Sequence, residues 1–93
     1  MSSGEPLADA LTELVGIRDE IEQLDRALVE LVARRVGTLK RRASLPILDP
    51  QREAAVVRRA GTLARAAGID DDDVRYLFWH LIGLSRRAQL EVR

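Results

Sequence analysis

Apolar side chains recur at alternating intervals of three and four along the first third of the chain: Leu14, Ile17, Ile21, Leu24, Leu28 and Leu31. That spacing is the seam of a helix that packs lengthwise against another helix. The pattern opens between Leu7 and Leu11 and meets no breaker before Gly37; Pro46, beyond Ser44, sets the far limit. A helix of roughly 35 residues is about 50 Å long, too long for a lone globule of this chain's size. Asp49-Pro50 supplies an N-cap and a first-turn proline for a second helix, which runs to Ala67 and stops at Gly68. The acidic run Asp70 to Asp73 suits the positive end of a third helix dipole. The third helix gathers Val74, Leu77, Phe78, Leu81, Ile82, Ser85, Ala88, Gln89 and Val92 on one face. Loops are expected at Leu45 to Leu48 and Ile69 to Asp71.

No stretch alternates with period two, and no internal repeat or low-complexity linker occurs. The expected class is all-α, with three helices, one of them long, in a single domain spanning residues 1–93. Two short helices cannot cover the whole seam of the first. A second copy of the long helix can, so an intertwined or side-by-side homodimer is expected.

Some positions break the pattern with polar groups. Four residues beyond Leu31 the seam reaches Arg35, a guanidinium in place of a leucine. On the third helix Ser85 and Gln89 lie one turn apart in line with Leu77 and Leu81, and on the second Glu53 lies in line with Val57 and Ala60. Each could be a long side chain reaching water, or half of an internal ion pair such as Arg35 with Glu53. Taken together they describe a pocket lined by guanidinium, amide and hydroxyl groups, which suits a small polyanion.

Charge narrows the partners. Fifteen basic residues balance fifteen acidic ones, so no net field draws the chain to nucleic acid or to an anionic membrane. The basic cluster Arg34, Arg35, Lys40, Arg41 and Arg42 lacks the interleaved aromatics of a nucleic-acid surface. Fourteen of the basic residues are arginine, and Lys40 is the only lysine. A compact ammonium differs from a planar guanidinium in shape and hydration, which marks Lys40 as a candidate for a specific role. The absence of cysteine excludes disulfides and thiolate metal sites. His80, the one histidine, has no ligand partner at zinc spacing, so no metal is expected, and Trp79 beside it is expected to cover a helix contact. There is no phosphate-binding glycine loop or nucleophile elbow. Without an apolar run of spanning length or a signal-like start, a cytoplasmic protein is expected.

The segments IRDEIEQLDRALVELVARR, the lysine after them, LPILDPQREAAVVRRA, GID and VRYLFWHLIGLSRRAQ follow one another in an order that resembles the all-helical chorismate mutases (type II) from about Leu14 to Gln89. The resemblance implies an intertwined six-helix homodimer with two equivalent sites, each borrowing an arginine, here Arg18, from the other subunit's long helix. It implies the rearrangement of chorismate to prephenate, a step of the shikimate pathway toward aromatic amino acids. One C–O bond breaks as one C–C bond forms within a single molecule, so no nucleophile, metal or cofactor is required. On this pattern Arg18 of the partner subunit and Arg35 clamp the two substrate carboxylates. Lys40 and Gln89 donate to the ether oxygen, Glu53 accepts from the ring hydroxyl, and Asp49, Arg52 and Ser85 orient the others.

In one place the chain departs from the pattern. The family separates its in-helix arginine from its lysine by about three turns, which puts both on one face. Arg35 and Lys40 are five residues apart, close to 140° around a helix, as though about six residues were missing. The first helix is therefore expected to bend or end near Gly37, or one of the two residues to leave the site, and activity to be weak. Isochorismate pyruvate lyase and 4-amino-4-deoxychorismate mutase are alternative activities of the same fold. A further alternative is a degenerate helical module active only with a partner enzyme of the shikimate pathway. Asp49 and Glu53 favour the mutase over the lyase.

Overall fold

The computed structural model describes residues 5–41 and 49–92. Three helices account for nearly all of them: α1 (Glu5–Lys40), α2 (Pro50–Ala66) and α3 (Asp71–Val92). No strand occurs among the described residues, so the chain is all-α. The expected loop at Leu45 to Leu48, Pro46, Arg42 and Ala43 lie outside the described residues, as does the side chain of Val92. The chain divides into two compact units, residues 1–33 and residues 34–93.

In the first unit the described residues form one uninterrupted helical stretch. It starts at Glu5, ahead of the Leu7–Leu11 window, with Pro6 in the first turn, where a missing N–H breaks no helical hydrogen bond. Every seam residue from Leu14 to Leu31 is between 41% and 62% exposed. A stripe this long and this apolar has no cover within the unit.

The second unit holds the last turns of α1 and the pair α2–α3. Helix α1 does not end at Gly37: it continues to Lys40, and the Arg41 amide donates to the Gly37 carbonyl at 3.1 Å. A single glycine costs a helix about 1 kcal/mol, too little to stop it here.

Helix α2 begins as its sequence dictates. An Asp49 side-chain oxygen accepts from the Arg52 amide at 3.1 Å, and Pro50 opens the first turn. Val57, Ala60, Gly61 and Ala64 are buried, at the three–four spacing of one helix face. A Cβ at Gly61 would sit 2.6 Å from Nε of Arg75, so that guanidinium would have to move to admit one. Asp71 and Asp72 hold that guanidinium in place.

The turn into α3 is a Schellman motif. The Gly68 amide donates to Arg65 O at 3.1 Å and the Ile69 amide to Ala64 O at 2.9 Å, with Gly68 at φ +76°. Asp70 then caps α3 by accepting from the Asp73 amide at 3.0 Å, and the helix starts at Asp71, one residue inside the loop expected over Ile69 to Asp71. Short connection and cross-contacts (Glu53 with Arg86 at one end, Arg65 with Asp71 at the other) make α2 and α3 an antiparallel hairpin. Gly68→Ala forces a Cβ into the left-handed region and is expected to destabilise this unit by about 1–2 kcal/mol. A thermal melt of the variant matching the parent would remove that account of the turn.

On α3 the buried face is Ile82, Ser85 and Gln89, flanked by half-buried Val74, Phe78, Leu81 and Ala88. Leu77 is not part of it, at 62% exposed. Eight residues of helix overshoot two turns by about 80°, so a line drawn from Ser85 back to Leu77 drifts off the face. Trp79 is 47% exposed.

Candidate active site

Among the described residues the buried polar ones are Ser85, 2% exposed, and Gln89, 6% exposed, one turn apart on α3. Burial of such groups costs free energy unless they are hydrogen-bonded. Ser85 meets that need twice. Its hydroxyl donates to the Leu81 carbonyl at 2.7 Å and accepts from Nη1 of Arg35 at 3.0 Å. The amide of Gln89 donates to the carbonyl of Leu39 at 3.4 Å. Arg35 and Leu39 are one turn apart, as are Ser85 and Gln89. The end of α1 and the second half of α3 therefore run side by side in the same direction, linked by polar side chains.

The electrostatics around Arg35 are one-sided. Its pKa is lowered, first by burial of the guanidinium and then by the nearby charges of Arg52 and Arg59. None of these three guanidinium groups is ion-paired among the described residues. The internal pair Arg35–Glu53 does not form. Glu53, half-buried on α2, is instead held in a short ion pair by Arg86 of α3. Arg35 and Ser85 neutralise no charge between them.

The remaining expected residues sit as follows. Arg52 lies in the first turn of α2, its backbone amide spent on the Asp49 cap, and its charge is felt at Arg35. Asp49 is exposed and commits one side-chain oxygen to that cap. Lys40 is exposed at the last position of α1, next to Leu39 whose carbonyl receives Gln89. Because α1 stays helical to that point, Arg35 and Lys40 remain about 140° apart, and the two are not presented on one face. Arg18 belongs to the first unit and is exposed there. His80 is exposed too, as a surface histidine would be. Two residues were missed from sequence, Arg59 and Arg86. Arg59 is seven positions from Arg52, two turns along the same face, a spacing that could have flagged it. Arg86 stands beside Ser85 with no distinguishing pattern.

The profile of the chorismate mutase type II family matches residues 17–90. The chain belongs to that family. Two T-proteins are among its relatives by sequence. That of Enterobacter agglomerans is 38% identical over 68 positions, covering 67% of this chain and 18% of its own length. That of Haemophilus influenzae is 40% identical over 65 positions, covering 63% and 17%. The chain therefore spans less than a fifth of the length of these relatives. No solved structure matches. No helix among the described residues is long and apolar enough to cross a membrane.

Proposed function

We propose that the protein is a chorismate mutase, converting chorismate to prephenate in a site that two copies of the chain complete. The observation that carries this reading is the cluster of Arg35, Ser85 and Gln89 beside Arg52 and Arg59, in a chain of the chorismate mutase type II family.

The reaction needs geometry and charge rather than a nucleophile. The enolpyruvyl arm must be held over the ring while the ether C–O bond breaks and the new C–C bond forms. Negative charge builds on the ether oxygen as this happens. Arg35, already oriented by Ser85, takes one carboxylate in a forked pair of hydrogen bonds. Arg18 of the partner subunit takes the other. Gln89 turns its amide from the Leu39 carbonyl to the ether oxygen, and Lys40 brings a cation to the same atom. Glu53 accepts from the ring hydroxyl. Arg52 holds the bound anion, and Asp49 fixes the start of α2 that carries both Arg52 and Glu53.

The whole is one domain over residues 1–93, and the second copy follows from the exposed seam. Leu14 to Leu31 offer an apolar stripe that a two-fold related copy covers with its own. Sedimentation at micromolar concentration is expected to give a dimer. A monomer with full activity would eliminate the shared site.

Purified protein is expected to consume chorismate and release prephenate, with isochorismate left intact. Turnover should be weak, since the five-residue interval keeps Arg35 and Lys40 off a common face. Pyruvate release from isochorismate would replace the mutase by a lyase. Activity that arises only on adding a second enzyme of the same pathway would make the chain a partner-dependent module.

A further inference from the structure

Arg86 carries no role in the reaction described so far, yet it makes an ion pair across the hairpin to Glu53. It sits between Ser85, which orients Arg35, and Gln89, and its guanidinium binds one oxygen of Glu53. Its Nε is buried and has no acceptor among the described residues. Glu53 is the group assigned above to the ring substituent, so this inference rests on that reading. The pair changes what Glu53 can recognise. A free carboxylate favours an ammonium over a hydroxyl, because a full charge adds to the hydrogen bond. A carboxylate already neutralised by a guanidinium has lost that preference. A second cation brought to it is repelled by Arg86. A hydroxyl meets no such repulsion. It can donate to Glu53 and also accept from a guanidinium N–H, whereas an ammonium has donors only.

We propose that Arg86 is a specificity-determining residue, which through Glu53 selects a ring hydroxyl and rejects a ring ammonium. It acts by positioning and neutralising Glu53 and takes no part in bond making. Discrimination of this kind comes from penalising the wrong ligand as much as from contacts to the right one.

The test compares chorismate with its 4-amino-4-deoxy analogue, whose amine is protonated at neutral pH. Both turnover and equilibrium binding by calorimetry are measured on the parent chain, Arg86→Gln and Arg86→Lys. Arg86→Gln is expected to shift the preference toward the amino compound by about tenfold or more, in kcat/KM and in Kd alike. Arg86→Lys, which keeps the cation on Glu53, is expected to restore most of the preference for the hydroxyl. A purely structural residue would weaken both ligands in parallel, and that result overturns the proposal, as does a failure of lysine to restore selectivity. If the parent binds chorismate without converting it, the mutase reading fails, while the binding ratio still decides the role of Arg86. A parent that binds neither compound removes both.

Discussion

Arg35→Ala is expected to lower turnover of chorismate by about 10²–10³-fold, the range typical for removing a preorganised electrostatic donor. Stability should change little. Ser85 keeps its bond to the Leu81 carbonyl, so the variant leaves no buried hydroxyl unpaired, and the lost bond is worth about 1 kcal/mol. Loss of Arg35 also relieves the repulsion with Arg52 and Arg59. Arg35→Lys is not expected to rescue, because a point charge cannot grip a carboxylate as a fork. Steady-state kinetics beside a thermal melt separate the two effects. An alanine variant with parental kcat/KM would place Arg35 outside the site.

Lys40→Ala is the second variant with a large expected effect. If its ammonium stabilises the charge developing on the ether oxygen, turnover falls by about 10²–10³-fold. The melting temperature should hold, since Lys40 is exposed and its side chain has no partner among the described residues. Gln89→Ala is expected to act in the same direction but more mildly, and Gln89→Leu should leave the protein folded. Near-normal turnover of Lys40→Ala would mean that the 140° offset from Arg35 has taken the lysine out of the chemistry and made it a surface residue.

Helix order, the Asp49-Pro50 start and the Gly68 stop could be read from sequence because each is decided within a few residues. A cap or a left-handed turn is a local event, and its signal is the residue that performs it. Arg35, Ser85, Gln89 and Glu53 were legible for a different reason: polar groups at apolar positions must find partners. Which partners they find was not legible. The pairing of Glu53 with Arg86 rather than Arg35 depends on how α2 and α3 are set against each other, and periodicity carries no such information. Leu77 was misplaced because a helix of 3.6 residues per turn drifts, and an eight-residue line ignores the drift. The continuation of α1 through Gly37 likewise reflects the small cost of one glycine against a long run of helical hydrogen bonds.

The division of the chain into a helical hairpin and a rod with no buried residue from Leu7 to Leu31 has a kinetic consequence. The hairpin is closed by a turn of a few residues, and its contacts are short in sequence. Folding of such low-contact-order units takes microseconds to milliseconds. The rod has nothing of its own to collapse onto, and a helix gains most of its stability from packing. Refolding after rapid dilution from denaturant should therefore show a fast phase independent of protein concentration. If the rod is completed by a second copy, a slower phase follows, with a rate that rises in proportion to the concentration of chains.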